Sequence, residues 1–105
     1  MTRTRFAPSP TGFLHIGSLR TAAYAYALAK HSGGQFLLRI EDTDQKREVP
    51  GSIQKIYDLL QKFELKWDEE PVIQSHRLKK YQEAAQKLVD SGHAIHSEGA
   101  VRLVV

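Results

Sequence analysis

Polar and apolar residues alternate over residues 2–7, and Pro8-Ser9-Pro10-Thr11-Gly12 then ends the pattern, since neither proline can donate to a strand ladder. The alternation predicts a strand that runs into a loop at residue 8. From Ile16 to about His31, the residues Leu19, Ala22, Ala23, Tyr26 and Ala27 recur at helical spacing, and Ser32-Gly33-Gly34 supplies a helix end. Gln35-Phe36-Leu37-Leu38-Arg39-Ile40 is a short apolar run of the kind a parallel sheet buries, so the first forty residues predict a right-handed βαβ unit.

Pro50 fits the first turn of a second helix, in which Ile53, Ile56, Tyr57, Leu60 and Phe63 line one face. Ser75 can cap a third helix carrying Leu78, Tyr81, Ala85, Leu88 and Val89, which Gly92 would end. Val101-Arg102-Leu103-Val104-Val105 reads as a closing strand. The prediction is an α/β layer structure of about three strands and about three helices, without internal repeats or low-complexity tracts.

A chain of 105 residues with 41% hydrophobic content is long enough for one core and too short for two, so a single domain over 1–105 is expected. No apolar stretch suits a signal peptide or a membrane span, which leads to the expectation of a cytoplasmic protein with no membrane partner. The absence of cysteine excludes disulfides, thiolate metal sites and cysteine nucleophiles. Fifteen Lys and Arg against twelve Asp and Glu give a net charge of +3, a modest bias toward anionic partners that does not by itself establish nucleic-acid binding.

Candidate chemistry concentrates between the first strand and the first helix, in residues 6–18. A helix N-terminus offers unpaired N–H groups and a partial positive charge, Gly12 and Gly17 allow close backbone approach, and His15 adds a side-chain donor. The residues alone point to a phosphate or nucleotide site. They also fit a tight turn shaped by Pro8, Pro10 and Gly12, with His15 as an ordinary helix-start residue.

His15-Ile16-Gly17-Ser18 resembles the first signature of class I aminoacyl-tRNA synthetases, a His-Ile-Gly-His pattern from which Ser18 departs. Arg3-Thr4-Arg5-Phe6-Ala7-Pro8-Ser9-Pro10-Thr11-Gly12, Leu38-Arg39-Ile40-Glu41-Asp42-Thr43-Asp44, and Trp67-Asp68-Glu69 with Gln74-Ser75 and Arg77 are similar to glutamyl-tRNA synthetases. The likeness covers roughly residues 2–94 and implies a Rossmann-like (HUP-type) half-domain, the first, truncated half of a nucleotide-binding catalytic domain.

The resemblance implies that Pro8, Pro10, Thr11, Gly12, His15 and Gly17 form the ATP site and that His15 and Ser18 stand in the catalytic positions. It further implies that Arg5, Ala7, Ser9 and Glu41 face the glutamate substrate. The residue types suit those tasks: Arg5 can hold a carboxylate in a bidentate fork, and Glu41 can accept from an ammonium group. Without the resemblance, Arg5 reads equally as an edge-strand side chain, and Glu41, Asp42 and Asp44 as capping or solvated acids. Asp42 and Asp44 lack the other ligands of a calcium loop, so the expected metal is Mg²⁺ arriving with ATP. His93 and His96 have no third ligand and no cysteine, so no zinc is expected, and Ser97-Glu98-Gly99-Ala100 bridges the place of the zinc element some relatives carry.

No Lys-Met-Ser-Lys-Ser-like second signature occurs in these residues, since the sole methionine is Met1, so amino-acid activation is expected to be slow. Lys79, Lys80, Tyr81 and Lys87 read as a solvated helix face, so tRNA is a partner of the complete enzyme and only a weak one here. An exposed sheet edge would favour a homodimer. Three other readings stay open: an ATP-binding module without turnover, a minimal-fold scaffold, and the paralogue that glutamylates a tRNA base.

Overall fold

The computed structural model describes residues 1–105, which divide into two compact units, Met1–Ser75 and His76–Val105. In the first unit, β1 (Arg3–Phe6), α1 (Ile16–His31), β2 (Gln35–Ile40), α2 (Ser52–Lys62) and β3 (Val72–Ile73) follow in order. The strands form a parallel sheet in the order β1-β2-β3, with Arg5 beside Leu37 and Arg39 beside Val72. This is the Rossmann-like half-domain anticipated above, but its third strand is the two-residue β3, too short to produce a visible alternation.

Alternate residues of β2 decide where the core sits. Phe36, Leu38 and Ile40 are fully buried with Phe6 of β1, Ala22 and Ala29 of α1, and Ile56 and Leu60 of α2 in one cluster. Each such large apolar side chain contributes about 1.5–3 kcal/mol. Both helices therefore cover the same sheet face. The opposite face carries Arg3, Arg5, Leu37 and Arg39, none of them buried.

Helix ends follow local chemistry. Gly33, in the left-handed region at φ 67°, lets its own N–H and that of Gly34 bond back to Lys30 and Ala29 and so close α1. A Cβ on Gly34 would stand 1.9 Å from the Thr2 carbonyl oxygen, which explains a second glycine where β2 comes up against β1. Pro50 lies before α2, not in its first turn. It shares a type II turn with Gly51 (φ 82°), closed by the Ser52 N–H donating to the Val49 carbonyl at 3.0 Å. At the other end of α2, Glu64 occupies the left-handed position (φ 60°) that glycine fills elsewhere.

The second unit consists of α3 (Leu78–Asp90), β4 (Ala94–Ser97) and β5 (Ala100–Leu103). The closing strand expected over residues 101–105 thus begins at Ala100 and joins an antiparallel hairpin with β4, outside the parallel sheet. Glu98 (φ 51°) and Gly99 (φ 77°) make the two-residue turn, whose double left-handed geometry matches strand twist. No helix is long and apolar enough to cross a membrane.

Candidate functional site

The loop from β1 to α1 is held at two points. The Pro8 carbonyl accepts the Glu41 N–H at 2.9 Å, and the Pro10 carbonyl accepts the Val49 N–H at 2.9 Å and the buried Ser52 hydroxyl at 3.0 Å. These bonds tie the loop to the segments after β2 and before α2. Between the loop and α1 opens a cleft of about 420 Å³, lined by Ala7, Pro8, Ser9, Thr11, Gly12, Phe13, Leu14, His15, Ser18 and Thr21, with Phe6 at its base.

His15 is the N-cap of α1 and the best-defined polar group of the cleft. Its Nδ1 accepts the Gly17 N–H at 3.0 Å, so the neutral ring carries its hydrogen on Nε2, which lies 3.4 Å from Ser18 Oγ. The amide hydrogens of Ser18 and Leu19 both go to the His15 carbonyl at 3.1 Å. The supply of open amides expected at this helix start is therefore smaller than the sequence suggested: Ile16 alone keeps an unbonded N–H in the first turn. The imidazole has taken the place a ligand oxygen would otherwise take. Thr21, one turn further on, donates its hydroxyl to the Gly17 carbonyl at 3.1 Å.

The cleft gathers most of the residues singled out from the sequence. Ala7, Pro8, Ser9, Thr11, Gly12, His15 and Ser18 line it, while Pro10 and Gly17 support it from behind, Pro10 through its carbonyl and Gly17 by leaving room for the imidazole. Arg5 and Glu41 are not among its walls. Arg5 stands on the uncovered face of β1, and the Glu41 carboxylate is paired with the Arg39 guanidinium. Phe13 and Leu14 lie within the segment 6–18 singled out above, without a role of their own, whereas Thr21 was not anticipated. Thr21 carried a sequence signal, since three residues after Ser18 falls on the same helix face.

The acids after β2 are engaged within the protein. Asp42 is buried and accepts both the Ser75 N–H at 2.7 Å and the Ser75 hydroxyl at 2.6 Å, so Ser75 bonds to Asp42 and does not cap α3, whose N-cap is Arg77. Asp44 lies 3.9 Å from Arg47. No three His, Cys, Asp or Glu side chains converge as metal ligands, and His93 shares a 2.8 Å hydrogen bond with Ser91. Two titrations are displaced, both away from the cleft. The Lys30 ammonium and the Phe36 N–H hold the Asp68 carboxyl below its ordinary range, while burial, then Glu70 and Asp42, push the Tyr57 phenol up.

Residues 1–100 match the family described as tRNA synthetases class I (E and Q), catalytic domain. The chain belongs to that family. It is 56% identical over 102 residues to the mitochondrial glutamate–tRNA ligase of Schizosaccharomyces pombe, taking in 90% of this chain and 19% of that protein. It is 53% identical over 96 residues to the glutamate–tRNA ligase of Chromobacterium violaceum, with 91% and 21% covered. A crystal structure of a glutamate tRNA ligase from Elizabethkingia meningosepticum in complex with its amino acid superposes with a TM-score of 0.83 at 42% identity, over 92% of this chain and 22% of that one. The chain thus spans about a fifth of the length of these relatives.

Proposed function

We propose that this protein binds ATP and glutamate and forms glutamyl-adenylate, the first half-reaction of a glutamate–tRNA ligase. The observation that carries the reading is the β1–α1 cleft, whose walls include His15 and Ser18 from the two ends of the first class I signature and Ala7, Pro8, Ser9, Thr11 and Gly12 from the segment before it. On this reading the triphosphate lies across the cleft mouth. The Nε2–H of His15, the Ile16 amide and the positive end of α1 face it, and Ser9, Thr11 and Ser18 add hydroxyls. Mg²⁺ arrives with ATP as part of the substrate.

The glutamate α-carboxylate attacks the α-phosphorus, a new P–O bond forms, and the bond to pyrophosphate breaks, with the electron pair leaving on pyrophosphate. No side chain acts as a covalent nucleophile. The protein aligns the reactants and stabilises the charge that develops on the phosphoryl oxygens. Arg5 and Glu41 contribute from the strand ends: Arg5 toward a substrate carboxylate, and Glu41 toward the ammonium once it exchanges Arg39 for the substrate. Transfer to tRNA belongs to the complete enzyme, and tRNA binds weakly to these residues.

One observation favours a second reading, ATP binding without turnover: Arg5 and Glu41 do not line the cleft, and the Glu41 carboxylate is paired with Arg39. Glutamate-dependent exchange of labelled pyrophosphate into ATP separates the two. Exchange that responds to glutamate and not glutamine supports activation, and its absence beside saturable ATP binding supports the binding module. Preference for glutamine contradicts the substrate assignment. A cytoplasmic setting and a dimer through the open edge of β1 complete the proposal. Fractionation placing the protein in mitochondria, where the S. pombe relative's name puts that enzyme, contradicts the first, and a monomer at every concentration in sedimentation contradicts the second.

A further inference from the structure

The cleft wall has fixed ends and a free middle. Pro10 is anchored by two hydrogen bonds and His15 by its capping role, whereas residues 11–14 make no hydrogen bond of their own. Phe13, in the middle of that span, is 74% exposed. Hydrophobic burial therefore does little to fix it. Yet the Lys55 Nζ of α2 sits 4.2 Å from the centroid of the Phe13 ring, and the same ring borders a second hollow of about 280 Å³ that Leu14, Lys55, Asp58, Leu59 and Lys62 complete. Phe13 is thus shared between the cleft and a hollow on α2, with an ammonium over its ring.

We propose that Lys55 is a positioning residue for the proposed ATP site: its ammonium clamps the Phe13 ring and so sets the wall of the cleft two residues before His15. A cation at this distance meets the negative face of the aromatic quadrupole, an attraction that survives exposure to water. Lys55 takes part in no ion pair and does not line the cleft, so its contact with Phe13 is its specific tie to the site. The clamp itself stands on ligand-free geometry, while its effect on ATP rests on the function proposed above.

The test uses the ¹⁵N-labelled 105-residue chain with Lys55→Met, which keeps an unbranched apolar stem of similar length and removes the charge, and Lys55→Arg, which retains a cation. Without ligand, the Lys55 ε-protons are expected to be shifted upfield by the Phe13 ring. Lys55→Met is expected to raise the fast mobility of the amides of residues 11–14 while Lys55→Arg leaves it as in the parent. With ATP added, Lys55→Met is expected to bind about two- to five-fold more weakly and Lys55→Arg like the parent. Unchanged mobility in Lys55→Met overturns the clamp, and raised mobility with unchanged ATP affinity overturns the positioning role. A parent chain that binds no ATP, with the mobility difference intact, upholds the clamp and overturns the proposed function instead.

Discussion

The Nδ1 of His15 accepts the backbone N–H of Gly17 at 3.0 Å, and a Cβ on Gly17 would lie 2.8 Å from His15 Cε1. The glycine is there for the ring, not for the helix. Gly17→Ala is therefore expected to push the imidazole out of its capping position. Alanine is the better helix former by up to about 1 kcal/mol, which offsets the roughly 0.5–2 kcal/mol lost with the cap, so the melting temperature is expected to change little while ATP affinity falls about ten-fold, ~1.4 kcal/mol. Thermal melts paired with ATP titrations check this, and a lower melting temperature with unchanged affinity contradicts it.

Asp42, only 6% exposed, takes both polar hydrogens of Ser75. Asp42→Ala removes a charged acceptor and leaves two donors to find others, so a loss of about 2–3 kcal/mol is expected. Ser75→Ala removes the hydroxyl and keeps the amide bond, and is expected to cost about 1–2 kcal/mol. Urea denaturation of both variants gives the ordering. Equal stability of Asp42→Ala and the parent would show that the pair is replaced by water at no cost.

Glu64 ends α2 in the left-handed conformation, with the Leu65 N–H returning to the Leu60 carbonyl at 2.9 Å and both leucines in the core. A non-glycine residue there costs about 1–2 kcal/mol of backbone strain, partly offset by the greater freedom glycine has in the unfolded chain. Glu64→Gly is expected to stabilise the protein by about 0.5–1 kcal/mol. Destabilisation in the same denaturation assay would show that the side chain contributes more than its backbone costs.

Asp68 accepts from Lys30 Nζ at 2.7 Å and from the Phe36 N–H at 2.7 Å, bonds that hold its carboxyl below the ordinary value of 3.8. Between the folded and the unfolded value the unfolded chain binds more protons. The contribution is therefore whole above the ordinary value and is lost as pH falls through the lowered one. Urea midpoints across the acid range are expected to fall less steeply for Asp68→Asn than for the parent. Parallel curves would mean that the carboxylate adds nothing to stability.

The elements read from the sequence were those whose signals are local. Alternation in β1, 3.6-residue spacing in α1 and the apolar run of β2 each announce themselves within a few residues, and Gly33 and Gly92 mark helix ends by the conformation they adopt. What was missed is mostly non-local, although β4, which pairs with β5 across the Glu98-Gly99 turn, is local and was missed as well. β3 is two residues whose strand character comes from pairing with Arg39 and Ile40. Ser75 resembles an N-cap by position, but its hydroxyl bonds to Asp42, 33 residues earlier. The end of α2 at Glu64 has no glycine to signal it. At the site, a short motif identified the loop and His15, whereas the Phe13–Lys55 contact depends on how α2 comes to lie beside that loop; the Arg39–Glu41 pair, two residues apart along the chain, is local.

The central claim is that the β1–α1 cleft binds ATP through His15. A ¹⁵N NMR titration of the chain with Mg²⁺–ATP, run beside His15→Ala, tests it most directly. Saturable shifts over the amides of residues 9–18, absent or strongly weakened in His15→Ala, are the predicted result; no shifts, or shifts confined to the lysine-bearing surface of α3 and unchanged in the variant, would contradict it.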